Sequence, residues 1–354
     1  MRPARARKIT ERLQAWFARH ARDLPWRRQP SPWKTLMSEA LLQQTQVSRV
    51  AERFPEFVRL FPSPRAMVRR GEGAVLQAWR GMGYYRRARS LHAAAVRIVT
   101  MHGGRVPEDP ESLRALPGVG RYTAGAVASI GFGLREPIVD GNVARVLSRL
   151  ANRPDRTDDR VGQAWCWQQA TRMVQAAREP GVANEALMEL GATVCTPTGP
   201  ACGACPLRSI CASHRAGTQH RIPPARARLA RRPLVFHALV DVHGGLVAMA
   251  ERQEGLWRGL LMPPLIEASA GLSPARLKAL SGASRVGPLR ATVEFATTHR
   301  QVRFLVHRAR FGPSADLQRI SLRSVTRQAV PAAGQRVIDA VVSASPRRAT
   351  VTVR

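Results

Sequence analysis

The sequence predicts a multidomain protein in which an all-α domain precedes a smaller α+β domain. Apolar residues recur at helical spacing through about the first 215 residues, whereas short apolar runs typical of strands fill residues 234–343. Between them, residues 216–233 carry five arginines, three prolines and no acidic residue, a composition typical of an extended basic linker. A chain of 354 residues can form two or three domains with a sizeable core, and we expect residues 344–354 to be a loose tail.

The charge balance indicates a polyanionic partner. Lys and Arg number 56 against 24 acidic residues, which gives a net charge of +32. Nearly all the basic residues are arginine, as a genomic composition bias would produce, but exchanging Lys for Arg leaves the charge unchanged. Nucleic acid is therefore the first candidate partner and a membrane surface the second, although no lipidation motif or amphipathic anchor favours a membrane.

The N-terminus lacks the features of a secretory signal. Residues 1–8 are basic but lead into ITERLQAWFARH rather than an apolar run, and no apolar stretch is long enough to span a bilayer. We therefore expect the protein to stay in the cytoplasm. We also expect a bacterial, DNA-associated protein that is a monomer. In that reducing compartment disulfides are disfavoured.

The first two predicted helices place one carboxylate in an apolar setting. Ile9 and Leu13 mark the apolar face of the first helix, and a second helix containing Glu39 begins near Trp33. Apolar neighbours such as Leu41 favour burial of Glu39. Burial without a cation raises the pKa of a carboxyl group and keeps it protonated, as a general acid requires. The alternative is a solvated glutamate on a helix surface.

Two polar segments are suited to nucleic acid. Residues Gln43–Gln46 follow the second helix, and amide side chains bind base edges or fill the gap that a displaced base leaves. After predicted helices over 50–61 and 66–79, the segment 81–89 (GMGYYRRAR) places two tyrosines beside three arginines, which suits stacking and phosphate contact. A solvated helix end and a helix start with an arginine-covered face are the respective alternatives.

The segment 111–142 (ESLRALPGVGRYTAGAVASIGFGLREPIVDGN) predicts two helices joined by a glycine turn. A short helix ends at Pro117, Gly118 and Gly120 form the turn, and a second helix rich in small residues opens near Tyr122. Free N–H groups at such a turn can hold a phosphate. An apolar run then ends at Asp140, which would cap the next helix and stay ionised. An ordinary turn and an ordinary cap are the alternatives.

Four cysteines follow predicted helices over 143–150, 161–174 and 183–194. Their spacing, Cys195-x6-Cys202-x2-Cys205-x5-Cys211, gathers four thiols within seventeen residues. Thiolates alone suit zinc or an iron–sulfur cluster, and the paired CxxC motifs of a zinc ribbon are missing. The fifth cysteine, Cys166, is interpreted as a core residue.

Strand patterns dominate the smaller domain. Residues 234–242 and 246–250 predict a hairpin around Gly244 and Gly245, and residues 290–297 and 302–309 predict a second pair. A short helix is expected to start at Ser273.

These motifs resemble, in order and spacing, those of the MutY-type adenine DNA glycosylases of the helix-hairpin-helix (endonuclease III) superfamily. The matching segments are LPWR, SEALLQQTQV, GMGYYRRAR, LPGVGRYTAGA, VDGN and the four-cysteine loop. The resemblance implies an all-α glycosylase domain over 1–215 with one [4Fe–4S] cluster in the loop 195–211. Strand-cutting members carry a lysine nucleophile just after the hairpin. Tyr122 stands there in this chain, so a monofunctional, hydrolytic glycosylase is implied.

The resemblance also implies roles for individual residues. Glu39 would protonate adenine at N7, Asp140 would stabilise the sugar cation, and Tyr122 and Asn142 would orient these groups or the attacking water. This is the division of labour between two carboxylates that glycosidases use. The implied metal ligands are Cys195, Cys202, Cys205 and Cys211, and the implied DNA contacts are Arg27, Gln44, Tyr84, Arg86, Gly118, Gly120, Thr298 and His299.

The smaller domain resembles, more distantly, the Nudix-like C-terminal domain that reads 8-oxoguanine opposite adenine in this family. The implied partner is double-stranded DNA with adenine paired to 8-oxoguanine or guanine. The Phe-Ser-His loop of the family is represented by Thr297-Thr298-His299, which keeps a hydroxyl but lacks the aromatic ring. Two other hypotheses are a DNA-binding protein that has lost catalysis and a relative that excises thymine or other pyrimidines.

Overall fold

The computed structural model describes residues 1–224, 230–268, 271–297, 299–313 and 315–343. The chain divides into two compact units, Met1–Val75 with Arg86–Arg226 and Leu76–Tyr85 with Ala227–Arg354. Within the described ranges no helix combines the length and the apolar character needed to cross a membrane. The predicted tail, 344–354, lies outside these ranges, as do residues 225–229 of the predicted linker.

The described chain before residue 216 is helical, as the sequence predicts. Its helices are α1 (Pro3–His20), α2 (Pro32–Leu42), α3 (Val47–Leu60), α4 (Pro64–Ala78), α5 (Arg86–Met101), α6 (Pro110–Ala115), α7 (Arg121–Ala126), α8 (Gly141–Ala151), α9 (Arg160–Ala176), α10 (Pro180–Thr193) and α11 (Ala212–Arg215). Several begin with a proline, whose missing N–H is not needed in the first helical turn.

One apolar core joins the N-terminal helix to the helices that follow the glycine turn. Ile9 and Leu13 of α1 are fully buried against apolar side chains of α8, α9 and α10. Cys166 is also fully buried in this core, which confirms its interpretation as a packing residue. The core fixes α8 and α10 relative to each other, and these two helices carry much of the candidate site.

Small residues after the glycine turn allow close packing, as predicted. Helix α7 continues into a π-helical turn, Val127–Gly131, which packs on α2 and α10. A Cβ on Gly125 would collide with the carbonyl oxygen of Pro137. Gly118 has φ of +75°, and a Cβ there would lie 2.5 Å from Cβ of Ser90. Glycine is therefore required at both positions.

The second unit is built around two sheets. Its elements are β1 (Arg232–Val240), β2 (Val242–His243), β3 (Leu246–Glu251), β4 (Leu261–Met262), β5 (Leu265–Glu267), α12 (Pro274–Ser281), β6 (Arg285–Ala296), β7 (Arg300–Arg310), β8 (Gln318–Ser321) and α13 (Ala332–Val342). One sheet has the order β5-β1-β7-β6, with β1 and β7 parallel, and the other joins β2, β3, β4 and β8. The predicted pair formed by β6 and β7 and the helix start after Ser273 are confirmed.

The first predicted hairpin of this unit is only half correct. The turn at Gly244 and Gly245 joins β2 to β3, but the longer strand β1 pairs with β5 and β7 instead. The two strands separate at Asp241, whose fully buried carboxylate accepts hydrogen bonds from Arg310, Arg319 and the backbone N–H of Phe311. An unpaired buried carboxylate would be costly, so this network fixes the position at which the chain leaves the first sheet.

Candidate active site

The four predicted catalytic residues line one cavity of about 540 Å³ in the first unit. Its walls come from the C-terminal half of α2 and the turn after it, from α7, from the first turn of α8 and from α10. The lining includes Glu39, Gln43, Gln44, Tyr122, Asp140 and Asn142. Residues that are more than 100 positions apart in the sequence therefore meet around one space.

Glu39 is buried in the cavity wall, with only 7% of its surface exposed. Burial raises its pKa to about 7, and the negative charges of Asp140 and Glu185 add to this effect. A hydrogen bond with the Tyr122 hydroxyl lowers the pKa of Glu39, but the effect of burial is larger. The solvated alternative for Glu39 is therefore wrong. At neutral pH the side chain can hold a proton and give it up.

Tyr122 faces both Glu39 and α10. Its hydroxyl lies 3.2 Å from Sδ of Met188 and also hydrogen-bonds with the carboxyl group of Glu39. Burial, followed by the negative charges of Glu39 and Asp140, raises the pKa of Tyr122 well above 10. The phenol therefore remains protonated and acts as a hydrogen-bond donor.

Asp140 caps α8, as the sequence predicts. One carboxylate oxygen accepts a hydrogen bond of 2.7 Å from the backbone N–H of Val143. The other accepts a hydrogen bond of 2.8 Å from the side-chain amide of Asn142. Both donors and the N-terminal end of the helix dipole favour a negative charge at this position. Glu39 and Asp140 thus occupy contrasting environments in one cavity.

Arg145 links this cavity to the cysteine loop. Its guanidinium donates to Oδ1 of Asn142 at 2.7 Å, to the carbonyl of Gly191 at 2.9 Å and to the carbonyl of Cys195 at 2.7 Å. The first turn of α8, the C-terminal part of α10 and the first predicted cluster ligand are therefore fixed to one side chain.

Sequence reasoning missed two carboxylates that α10 contributes. Glu189 is almost fully buried and pairs with Arg22 at 2.7 Å and with Arg27 at 3.0 Å, while Glu185 pairs with Arg27 at 3.0 Å. Burial opposes the charge of Glu189, but the hydrogen bonds from the two arginines prevail and lower its pKa to about 2. Burial raises the pKa of Glu185, against the attraction of Arg27. Two glutamates four residues apart in the apolar sequence ANEALMELGA were the available signal.

The predicted DNA contacts are divided between the two units. Gln44 is exposed at the cavity mouth, with φ of +56°, whereas Arg27 is engaged by its two glutamates in the cavity wall. Arg86 is exposed at the start of α5. In the segment Leu76–Tyr85 of the other unit, Tyr84 is 42% exposed with φ of +48°. Positive φ at a non-glycine residue is uncommon and marks conformations that the surroundings impose.

The four loop cysteines lie near one another in a half-buried setting. Burial raises the pKa of Cys205 to about 11, and the nearby thiols of Cys195, Cys211 and Cys202 add to this effect. The guanidinium of Arg149 lies 3.3 Å from Sγ of Cys195. Among the described residues, no group of three or more His, Cys, Asp or Glu side chains converges as ligands of a single metal ion.

The donor set of the loop consists of four thiols, which suit zinc or an iron–sulfur cluster. The surrounding apolar side chains, among them Leu207 and Ile210, limit access of water to the loop. The donor set and its setting are therefore compatible with a [4Fe–4S] cluster.

The loop between β6 and β7 holds the predicted lesion-reading residues. Two hydrogen bonds between Thr297 and Arg300 join the ends of this loop. The Thr297 hydroxyl accepts a hydrogen bond of 3.0 Å from the Arg300 backbone N–H, and the Thr297 backbone N–H donates to the Arg300 carbonyl. His299 is exposed at the turn. Thr298 lies outside the described residues.

The sequence of the chain is similar to those of known DNA repair proteins. The sequence pattern of the HhH-GPD superfamily of base excision DNA repair proteins matches residues 37–168. The chain is 42% identical over 220 residues to the adenine DNA glycosylase of Homo sapiens, a match that covers 59% of this chain and 40% of the human protein. It is 44% identical over 207 residues to that of Mycobacterium tuberculosis (strain ATCC 25618 / H37Rv), covering 58% of this chain and 67% of the relative.

A solved structure adds support for the fold alone. A thermostable thymine-DNA glycosylase superposes with a TM-score of 0.55 at 24% identity, covering 60% of this chain and 98% of that protein. The chain spans about two fifths of the length of the mammalian relatives that it matches.

Proposed function

The chain belongs to the adenine DNA glycosylase family, and from this membership we propose that it hydrolyses the N-glycosidic bond of adenine mispaired with 8-oxoguanine or guanine in duplex DNA. The observation that carries the proposal is the meeting of two carboxyl groups in one cavity, Glu39 buried in its wall and Asp140 at the start of α8 with a hydrogen bond to each oxygen. A net charge of +32 provides the attraction for DNA.

Glu39 supplies the proton to the leaving base. An acid with a pKa of about 7 is partly protonated at neutral pH, and its conjugate base can take a proton from water after the bond has broken. The Tyr122 phenol, which hydrogen-bonds with the Glu39 carboxyl group, favours the ionised form of that group and so helps it to release the proton. Protonation of the purine at N7 turns adenine into a neutral leaving group.

Asp140 stabilises the positive charge that develops on the sugar. Its two oxygens are held by the Val143 N–H and the Asn142 amide, so the carboxylate need not reorganise as the oxocarbenium ion forms. Asn142 is held in turn by Arg145, which leaves a fixed amide to orient a water molecule. Water then attacks C1′ of the sugar, and the products are free adenine and an abasic site.

The chemistry ends at hydrolysis because the chain lacks a suitable amine. Lysines occur only at positions 8, 34 and 278, and Tyr122 stands where strand-cutting relatives have their lysine nucleophile. Without a Schiff base the sugar–phosphate backbone remains intact. We therefore assign a monofunctional glycosylase.

The base must leave the DNA helix to reach the carboxyl groups in this cavity. Gln44 at the cavity mouth fills the gap left by the base, and the resemblance assigns Tyr84 the role of a wedge in the base stack. Backbone N–H groups of the turn at Gly118 and Gly120, together with Arg86, hold phosphates near the target.

Cys195, Cys202, Cys205 and Cys211 would hold a [4Fe–4S] cluster, which when bound would cross-link the loop and supply a redox-active group. The protein side of this arrangement is the Arg145 contact with the Cys195 carbonyl, which connects the loop to Asn142. Iron and sulfide analysis tests the assignment, and a colourless protein with one zinc ion would contradict it.

The smaller domain would act as a Nudix-like reader of the base opposite adenine. By resemblance, the segment 297–299 would read this base, and its His299 is exposed at the turn. The segment keeps a hydroxyl but lacks the aromatic ring of the family, so the duplex assay below compares 8-oxoguanine with guanine opposite adenine.

The test is adenine release from defined duplexes with the enzyme in excess. Adenine opposite 8-oxoguanine or guanine should be released, whereas oxidised pyrimidines and thymine opposite guanine should not. Glu39→Gln and Asp140→Asn should each lower the rate by at least about 100-fold. Unchanged rates in both variants would refute the mechanism. Tight binding without release of any base would instead establish a DNA-binding protein that has lost catalysis.

A further inference from the structure

The guanidinium of Arg87 fastens the end of the helix that carries Glu39. Arg87 lies in the first turn of α5, and its Nη1 donates to the carbonyls of Ala40 at 2.8 Å and Leu41 at 3.0 Å. These carbonyls belong to the last turn of α2, where backbone acceptors have no partner within the helix. A cation at this end also suits the helix dipole.

The same guanidinium reaches the turn that follows α2. Its Nη2 donates to the Thr45 hydroxyl at 3.0 Å, and the turn closes through a hydrogen bond from the Thr45 N–H to the Leu42 carbonyl. Between them lies Gln44, with φ of +56°. A non-glycine residue at this φ is strained and keeps the conformation only where its surroundings hold it.

Arg87 therefore bridges two structures that face the cavity, the helix end beyond Glu39 and the turn that carries Gln43 and Gln44. Glu39 has other constraints, since its backbone lies within α2 and its carboxyl group contacts Tyr122. The turn is short and strained, so it depends more strongly on the bridge than Glu39 does.

We propose that Arg87 is a positioning residue for base extrusion: it holds the Gln43–Thr45 turn in the conformation that occupies the gap left by the displaced adenine. This inference rests on the proposed function. Only arginine can do this, because its planar fork reaches several acceptors at once, whereas the ammonium group of lysine is a compact point charge.

The experiment compares Arg87→Lys with Arg97→Lys, a matched change at an exposed position of the same helix. A duplex with 2-aminopurine opposite 8-oxoguanine reports extrusion as a rise in fluorescence after rapid mixing. Adenine release is measured under single turnover from pH 6 to 8. We expect Arg87→Lys to slow extrusion and adenine release in parallel by about tenfold or more, with the midpoint of the pH profile unchanged. Arg97→Lys should match wild type.

Thr45→Val removes one acceptor of the bridge without changing charge and should slow extrusion in the same direction, so the test remains decisive if Arg87→Lys is poorly folded. Wild-type extrusion kinetics in both variants, even with a lower Tm, would reduce Arg87 to a structural cap and overturn the inference. If wild type itself releases no adenine from any mismatch, the proposed function fails instead, so the two failures are distinguishable.

Discussion

Raising the pH from about 6 to about 8 is expected to slow adenine release about tenfold, because only the protonated form of Glu39 can act as the acid. Burial and the negative charges of Asp140 and Glu185 raise the pKa of Glu39 to about 7. Roughly nine tenths of the molecules then carry the proton at the lower pH and roughly one tenth at the higher.

The catalytic value of this pKa shift is seen by comparing the carboxyl group in the cavity with the same group in water. With the ordinary pKa of 4.5, only about one Glu39 in 300 would be protonated at neutral pH, against about one half in the cavity. This corresponds to about 3 kcal/mol of preference for the neutral form. The gain in available acid is therefore on the order of 100-fold, a large share of what general acid catalysis supplies.

The substitution Glu185→Gln tests whether neighbouring charges set the pKa of Glu39. It removes a negative charge that raises the pKa of Glu39, so the midpoint of the pH profile should move to lower pH. Glu11→Gln, at an exposed position of α1, should leave the midpoint unchanged.

The assay is single-turnover release of adenine from a duplex with 8-oxoguanine opposite the target, followed as strand breakage at the abasic site after hot alkali. Binding of a duplex with a non-cleavable adenine analogue is measured at each pH, so that changes in affinity are not mistaken for changes in chemistry. A rate constant that stays level or rises between pH 6 and 8 would refute the assignment of Glu39 as the acid. A midpoint that moves upward in Glu185→Gln would refute the electrostatic account.

Three further predictions follow from side chains in both units. Ionisation of the buried Glu39 carboxyl group destabilises wild type at high pH, and Glu39→Gln removes this effect. The free energy of unfolding of Glu39→Gln minus that of wild type should therefore be about 2 kcal/mol larger at pH 8 than at pH 5. Urea titrations at both pH values measure this difference. Arg145→Met should lower the free energy of unfolding in urea by about 2–3 kcal/mol and slow adenine release, because it leaves Asn142 and the Cys195 carbonyl without their donor. Burial lowers the pKa of His307 below 6.5, so its neutral form stabilises the fold above about pH 6.5 and this contribution is lost as the pH falls. The difference in Tm between wild type and His307→Gln should therefore shrink from pH 7 to pH 5.

Local signals in the sequence predicted much of the first unit. Pro117 and the two glycines after it end one helix and begin another, and Asp140 caps α8 as expected. The apolar setting of Glu39 was readable because its neighbours along the helix are apolar. These features depend on residues close together in the chain, for which propensity and periodicity carry the information.

The missed features depend on partners that are far apart in the sequence. Glu185 and Glu189 meet Arg22 and Arg27 across more than 150 positions, and nothing local to α10 predicts which cations reach it. The separation of β1 from β2 likewise depends on arginines about 70 or more residues beyond Asp241. Side-chain pairing between distant elements is set by tertiary packing, which a single sequence does not specify.

Both carboxylate oxygens of Asp140 accept hydrogen bonds from the first turn of α8, and the proposed mechanism uses the same two oxygens to stabilise the charge on the sugar. Replacements that cannot accept the Val143 N–H will unwind the start of α8 and reduce the yield of soluble protein before any rate is measured. An amide keeps one acceptor oxygen for the Val143 N–H, but it removes the charge and the acceptor of the Asn142 amide. Inherited changes at this position should accordingly divide into variants that fail to accumulate in cells and variants that accumulate but are inert.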